Sequence, residues 1–213
     1  MSEVKQTEEP ASPATDQPAD LAEPGDPADP ERPGRPDLLA GLLLARGQVL
    51  PVVRAPEPVL STPCAAVDPT ADEVVRLAED LVATMRVSPG CVGLAAPQVG
   101  VATQVFAVDV TGHQKARTVH GAFVLCNARV VSASQWQKGR EGCMSVPDLT
   151  GDVKRANRLV VVGQLPGCGS EIEIVTDAFE ARALQHEIDH CAGMLFLDRV
   201  TGADAVHARK VYL

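Results

Sequence analysis

The sequence contains very few aromatic residues: one Trp, one Tyr and four Phe make up 3% of its 213 residues. Because hydrophobic residues still account for 45% of the chain, we expect a core built from Val, Leu, Ala and Ile. A surplus of basic residues is also missing, since 19 Lys and Arg stand against 28 Asp and Glu, a net charge of −9. Neutralising phosphates requires such a surplus, so we predict no direct nucleic-acid binding.

Long hydrophobic runs are absent as well. The apolar run at residues 38–44 is far shorter than the roughly 20 residues that cross a bilayer, so we predict no membrane association. The start of the sequence lacks the basic residues and apolar run of a secretory signal, and it is too acidic for an organelle transit peptide. Six cysteines without an export signal indicate reduced thiols and a cytoplasmic protein.

Acidic residues and prolines are concentrated in the first part of the chain. Residues 1–40 contain ten acids, three bases and eight of the seventeen prolines, a net charge of −7. Such a segment buries too little apolar surface to offset the entropy of ordering it. We therefore predict a disordered acidic, proline-rich tail over residues 1–36, a short helix or linker over 37–48, and a single folded domain over 49–213.

Hydrophobic periodicity predicts two helices in the folded part. A capping box at Thr70 and Glu73 begins the first helix, and another at Asp177 and Glu180 begins the second. Four apolar runs between the helices are typical of strands: residues 105–110, 123–126, 159–162 and 172–175. Strands that do not alternate with helices favour an α+β fold, with mainly antiparallel sheets around a central helix.

The second helix carries the pattern of a metal site. His186 and His190 are four residues apart, so both imidazoles project from one side of the helix and can chelate one ion. Glu187 is rotated by about 100° around the axis, where it can approach the open metal position as a general base. The alternative is a solvated helix in which this pattern has arisen by chance.

Two further segments are candidates for the same site. Cys143 follows Gly142 and offers a thiolate ligand, although a small buried hydrophobe is the usual fate of a free cysteine. The small residues from Gly93 to Gly100 form a crowded turn in which Gln98 offers an amide donor to a substrate. A tight structural loop explains this last segment at least as well.

Three motifs occur in a fixed order: CVGLAAPQ at 91–98, EGCMS at 141–145 and HEIDH at 186–190. Together they resemble the peptide deformylase family, and the resemblance covers residues from about 49 to 200. It implies a catalytic domain that removes the formyl group from N-terminal formylmethionine of nascent chains. One divalent ion is implied, Fe(II) by preference, with Zn, Ni or Co as alternatives. The implied partners are N-formylmethionyl peptides and, transiently, the ribosome exit region.

The resemblance also assigns a role to individual residues. Water or hydroxide would take the fourth metal position, and an extended peptide would pair with the backbone near residues 91–94. The assignments are metal ligation by Cys143, His186 and His190, acid-base catalysis by Glu187, oxyanion stabilisation by Gln98 and the Met144 backbone N–H, and substrate binding by Gly93 and Leu94.

The sequence departs from the family pattern at two positions. Cys91 stands where the first motif usually has glycine, and Ala192 stands where Asp or Asn usually follows the last motif. If Cys91 lies near the metal, it could form a disulfide with Cys143 under oxidising conditions.

Other polar residues are assigned supporting or neutral roles. We expect Glu141 and Asp189 to anchor a ligating histidine or a nearby arginine, with Arg155 as the candidate. The remaining histidines have no spacing that suggests ligation and are predicted to lie on the surface: His113, His120 and His207.

Two other functions remain open at this point. A zinc endopeptidase also carries the HExxH pattern, but its third ligand follows the helix, whereas Cys143 precedes His186 by 43 residues. A non-catalytic domain stabilised by a closed metal site would have no need of Glu187 and Gln98.

Overall fold

The computed structural model describes residues 39, 42 and 46–209. The predicted disordered tail over 1–36 lies outside the described residues, as does most of the predicted helix or linker over 37–48. Leu39 and Leu42 pack against an apolar cluster of the folded part. Within the described residues no helix is long and apolar enough to cross a membrane.

Two α-helices and six strands lie within the described residues. The helices are α1 at Asp72–Val87 and α2 at Ala178–Cys191. The strands are β1 at Gly93–Ala95, β2 at Val105–Val108, β3 at Phe123–Cys143, β4 at Val146–Gln164, β5 at Glu171–Asp177 and β6 at Val206–Ala208.

The strands pair in the order β1-β2-β3-β4-β5, with β6 added beside β4, and every one of these pairs is antiparallel. Helix α2 packs against β1, β2, β4 and β5, so it lies at the centre of the fold. The predicted α+β class, with antiparallel strands around a central helix, is confirmed. The strands form one continuous sheet, with β1 at one edge.

Strands β3 and β4 form a hairpin of 21 and 19 residues, which is much longer than the short apolar runs predicted for it. Most side chains of β3 from residue 127 to residue 140 are exposed or half-buried, so this stretch has no apolar alternation to reveal a strand. The turn of the hairpin consists of Met144 and Ser145. It places Cys143, the last residue of β3, at the end of a rigid ladder.

The predicted capping box of α1 is wrong. The N-cap of α1 is Ala71, which has no side chain to accept a hydrogen bond. Thr70 instead donates its backbone N–H and its hydroxyl to the Asp68 carboxylate, at 2.9 and 2.7 Å. The Thr70 hydroxyl is therefore occupied in the turn that precedes the helix.

The predicted capping box of α2 is also wrong, although Asp177 does occupy the N-cap position. The Asp177 carboxylate accepts the Thr118 hydroxyl at 2.9 Å and makes no capping bond. The Glu180 carboxylate is fully buried and accepts the Thr176 hydroxyl at 2.7 Å. Both acids are thus bound to residues outside the helix, and they anchor its first turn to the sheet and to the loop after β2.

The described residues form three apolar clusters, and two of them meet at β2, whose four side chains are all buried. Phe106 and Val108 face the cluster that includes Leu184 of α2, whereas Val105 and Ala107 face the cluster that includes α1. Full burial of a large apolar side chain contributes roughly 1.5–3 kcal/mol. The first cluster therefore fixes one face of α2 and leaves the opposite face free for polar residues.

Candidate metal centre

The two histidines of α2 lie side by side on the face of the helix away from the apolar core. The ring centroids of His186 and His190 are 4.8 Å apart, and their planes are nearly perpendicular at 87°. His190 is buried and His186 is half-buried. The four-residue spacing thus produces the adjacent pair of imidazoles that the sequence predicted.

Cys143 reaches this pair from the end of β3. Its Sγ lies 3.3 Å from Nε2 of His190, and the ligand atoms of Cys143, His186 and His190 all lie within 4.8 Å of one another. One sulfur and two nitrogens at this spacing are the donor set of a catalytic zinc-type or iron-type site, which leaves a fourth position open. The three residues fit a divalent ion.

The orientation of His186 is set by Glu141, whose Oε2 lies 3.1 Å from Nδ1 of His186. Burial alone would raise the pKa of Glu141, but hydrogen bonds from His186 and Arg155 lower that pKa to about 2. A carboxylate can only accept, so Nδ1 of His186 carries the proton. In the neutral imidazole, Nε2 then has its lone pair available for a metal ion, an arrangement common among ligating histidines.

An arginine network holds the carboxylates behind the site. Arg155 is buried and donates to both oxygens of Glu141, at 3.0 and 3.1 Å, and to Asp189 at 2.5 Å. Arg199 donates to the other oxygen of Asp189 at 2.6 Å. The structure thus brings Glu141, Asp189 and Arg155 together, as the sequence analysis expected.

Arg182 also belongs to this network, although its role was not predicted from the sequence. Its guanidinium donates to Oε1 of Glu141 at 2.7 Å and also to the backbone carbonyl of Val153. Arg182 lies four residues before His186, so the same helical spacing that identified the histidines places it on their face. This four-residue spacing could therefore have identified Arg182 from the sequence.

Glu187 is a buried carboxylate with an unsatisfied oxygen. Its Oε2 has no hydrogen-bond partner among the described residues, and the same holds for Nδ1 of His190. Burial raises the pKa of Glu187 to about 7, against the opposing effect of His186. Because buried polar atoms almost always have partners, the unpartnered oxygen of Glu187 indicates a site built for a group that protein atoms do not supply.

Gly93 on β1 lies directly against Glu187. A Cβ added at Gly93 would overlap the Glu187 carboxylate and come within 3.0 Å of its Cγ. Only glycine leaves room for the carboxylate here, which explains why this residue of the first motif is a glycine.

Gln98 is buried, and its amide orientation is fixed. Its Oε1 accepts the backbone N–H of Ala95 at 2.9 Å, so its NH₂ group points the other way. This group lies 3.3 Å from Sγ of Cys143 and 3.3 Å from the hydroxyl oxygen of Ser145. The amide N–H donors of Gln98 therefore face the candidate metal centre, beside a serine that the sequence analysis did not assign.

A cavity of about 470 Å³ opens onto this centre. Its lining includes the predicted site residues Gly93, Gln98, Cys143, Met144, His186 and Glu187. Leu94 is different, because its side chain is fully buried in the cluster that faces α1 and does not line the cavity. Only its backbone is placed to meet a ligand, on the edge strand β1.

The two departures from the family pattern occupy different surroundings. Cys91 lines the cavity, and its thiol lies 3.1 Å from the carbonyl oxygen of Gly93, to which it donates. Burial, reinforced by the nearby Glu187, raises the pKa of the Cys91 thiol to about 12. Ala192 is exposed and does not line the cavity. All six cysteines are free thiols, and the disulfide between Cys91 and Cys143 stays a prediction.

The other three histidines, which were predicted to lie on the surface, are all half-buried. Nδ1 of His120 lies 2.7 Å from the fully buried carboxylate of Glu180, and the His120 side chain is 24% exposed. His207 pairs with Asp152 at 3.1 Å, and His113 stacks on Phe179 with a centroid distance of 3.5 Å. None of the three belongs to the metal-ligand cluster found among the described residues.

The chain is similar in sequence to peptide deformylases. The profile of the polypeptide deformylase family matches residues 49–205. Peptide deformylase 1 of Bacillus cereus is 41% identical over 153 residues, which cover 72% of this chain and 93% of that protein. Peptide deformylase 2 of Streptomyces avermitilis is 39% identical over 158 residues, which cover 74% of this chain and 82% of that protein.

Solved structures of the same group share the fold. The Met-Ala-Ser-bound class I type b peptide deformylase of Acinetobacter baumannii superposes with a TM-score of 0.64 at 34% identity, covering 71% of this chain and 98% of that one. Peptide deformylase of Ehrlichia chaffeensis gives a TM-score of 0.67 at 30% identity, covering 74% and 91%.

Proposed function

The chain belongs to the polypeptide deformylase family of enzymes, as its three motifs predicted, and we propose that it removes the formyl group from N-terminal formylmethionine of nascent polypeptides. The observation that carries the proposal is the convergence of Cys143, His186 and His190 beside a buried Glu187 with an unpartnered oxygen. A formamide is an unreactive carbonyl, so its hydrolysis at neutral pH needs both an activated water and stabilisation of the oxyanion.

Cys143, His186 and His190 would hold one divalent ion. When bound, such an ion lowers the pKa of water and polarises the formyl carbonyl. The thiolate of Cys143 makes the site softer than one with three histidines, which suits Fe(II) and also admits Zn, Ni or Co. Glu141 keeps the His186 imidazole in the tautomer that ligation requires.

Glu187 would serve as general base and then as general acid. Its unpartnered Oε2 is free to accept a proton from the attacking water and to return that proton to the leaving amine. Burial raises the pKa of this carboxyl to about 7. A general base works best when its pKa lies near the working pH, so this value suits proton transfer at neutral pH.

Gln98 and the backbone N–H of Met144 would stabilise the oxyanion. The Gln98 NH₂ group faces the site because the Ala95 N–H fixes the other end of the amide. Met144 lies in the hairpin turn next to Cys143 and lines the same cavity. Each well-placed donor is expected to contribute about 3 kcal/mol of transition-state stabilisation.

The substrate peptide would bind along β1. This strand pairs with β2 on one side only, so its other edge can add an extended peptide as a further strand. Gly93 would bring the peptide backbone close to Glu187, and Leu94 would contribute through its backbone alone. The A. baumannii relative is a complex with Met-Ala-Ser, and we propose a formylated peptide of this kind as the substrate.

The methionine side chain would occupy the apolar part of the cavity. The apolar side chains that line it include Val92, Met144, Phe179 and Ala183. We further propose that the enzyme acts in the cytoplasm, where it meets nascent chains transiently near the ribosome exit.

The two alternative functions are less well supported. Zinc endopeptidases take the third ligand from beyond the helix, whereas Cys143 approaches from strand β3, upstream of α2. A closed metal site without catalysis would not explain why the buried Oε2 of Glu187 has no hydrogen-bond partner.

A substrate comparison tests the proposed function. The protein is purified anaerobically, its metal content is measured, and formate release from formyl-Met-Ala-Ser is followed. We expect formate from this peptide, no acetate from acetyl-Met-Ala-Ser, and no cleavage of an internal peptide bond. Glu187→Gln should keep the metal content while losing turnover; unchanged turnover in this variant would refute the assigned role of Glu187, and internal cleavage would favour an endopeptidase.

A further inference from the structure

A second cavity, here called the side cavity, adjoins the cavity of the metal centre. Its volume is about 220 Å³, and it shares Lys115, Arg140, Phe179 and Arg182 with the larger cavity. A peptide whose first residue lies at the metal centre can therefore reach the side cavity with a later residue.

The lining of the side cavity is strongly basic. Among the described residues that form it there are five cations and no acid: Lys115, Lys138, Arg140, Arg155 and Arg182. Three carboxylates just outside the lining offset part of this charge: Glu141 pairs with Arg155 and Arg182, Asp152 with Arg140 and Lys138, and Asp189 with Arg155. Five cations against three carboxylates leave an excess of positive charge.

The excess lies mainly on the two lysines. Lys115 is exposed and forms no ion pair with any described residue. The ammonium of Lys138 lies 3.9 Å from the Asp152 carboxylate, which Arg140 binds at 2.6 Å. Both lysines can therefore bind an incoming anion without first breaking a strong ion pair.

The loop that carries Lys115 is anchored on both sides. His113 stacks on Phe179 of α2, with planes only 5° from parallel, and Thr118 donates to Asp177. An anchored loop keeps the ammonium near the cavity. Binding an anion there therefore costs less conformational entropy than it would if the loop had to become ordered first.

The positive side cavity contrasts with the charge of the whole chain, which is −9. A concave surface lined by one sign of charge concentrates counter-ions and charged ligands of opposite sign. The carboxylate of an acidic side chain is such a ligand, and a nascent peptide carries its side chains within reach of this surface.

From this arrangement we infer that the side cavity binds the carboxylate of an Asp or Glu that follows formylmethionine in the substrate, and that the enzyme therefore prefers acidic formylated peptides. The inference rests on the proposed deformylase function and adds a specificity-determining site to it. Lys115 is the principal specificity residue, and Lys138 supports it.

The test uses the full chain with formylated tetrapeptides that carry Asp, Asn or Lys at the second, third or fourth residue. At one of these positions we expect kcat/KM to be about fivefold higher for Asp than for Asn, the scale of one exposed ion pair, and lowest for Lys. Lys115→Gln should abolish most of this ratio, and Lys115→Arg should restore it. Raising the ionic strength should also reduce it, because surface charges are screened.

Arg76→Gln provides the matched control, because it removes the same charge from an exposed residue of α1 that lines neither cavity. It should leave the Asp-to-Asn ratio unchanged. Equal rates for Asp and Asn at all three positions would overturn the inference while leaving the deformylase function intact. The inference would also be overturned if Arg76→Gln reduced the Asp-to-Asn ratio as much as Lys115→Gln does. Absence of formate from every peptide would refute the proposed function and this inference with it.

Discussion

Glu141 links the metal centre to the arginine network, so its removal should affect both metal binding and stability. Glu141→Gln preserves the size of the side chain but removes the charge that faces Arg155 and Arg182. It also replaces the acceptor that keeps the proton of His186 on Nδ1. The substitution therefore separates the role of the carboxylate from simple packing.

The two effects have different expected magnitudes. Loss of the carboxylate that orients a ligating histidine typically weakens metal binding by 10–100-fold. Leaving a buried guanidinium without one of its partners costs roughly 3 kcal/mol of folding stability. Because Asp189 still pairs with Arg155 in the variant, we expect the protein to fold and remain measurable.

Metal affinity is measured by competition with a chelator, and the free energy of unfolding by urea denaturation of the metal-free protein. Asp152→Asn is the matched control, since this acid also pairs with an arginine but lies apart from the ligands and is more exposed. It should leave metal affinity unchanged. If Glu141→Gln matched the unmodified protein in both measurements, the assigned role of Glu141 would be wrong.

Three further substitutions test two residues of the site and one buried polar pair at the start of α2. Gln98→Ala should lower kcat by about 100-fold with unchanged metal content, because an oxyanion donor is lost; an unaltered kcat would contradict the assignment. Gly93→Ala should lower kcat/KM at least tenfold, because the added Cβ displaces the Glu187 carboxylate, and a full-rate variant would show that this contact is unimportant. His120→Ala should lower the free energy of unfolding in urea by about 2 kcal/mol, since the fully buried Glu180 loses its hydrogen bond to the imidazole and keeps only those from the Thr176 hydroxyl and the backbone N–H of residue 120. His207→Ala, the control, removes only a half-exposed pair and should change the unfolding free energy little; equal effects of the two would contradict the burial argument.

The residues of the metal centre could be predicted because the patterns that identify them lie within short segments of the sequence. The spacing of His186 and His190 is a property of any helix, and Cys143 belongs to a short motif. Arg182 was missed although it obeys the same helical spacing. Ser145 lies inside a recognised motif, but its contact with Gln98 spans 47 residues of sequence and has no periodic signature.

The fold class could be predicted, whereas several details could not, because tertiary contacts override local patterns. Glu180 fits a capping box in sequence, yet His120 binds it from 60 residues away. Asp177 is likewise bound by Thr118, 59 residues earlier. The exposed part of β3 escaped prediction because it has no buried face to impose an alternating pattern.

The central claim is that Cys143, His186 and His190 hold one ion on which deformylation depends. The most direct measurement is an anaerobic titration of the metal-free full chain with Fe(II), following formate release from formyl-Met-Ala-Ser at each addition. We expect no formate without metal, a linear rise to one equivalent of Fe(II), and no rise at all for His190→Ala. Formate release by the metal-free protein, or none at one equivalent of bound metal, would contradict the central claim.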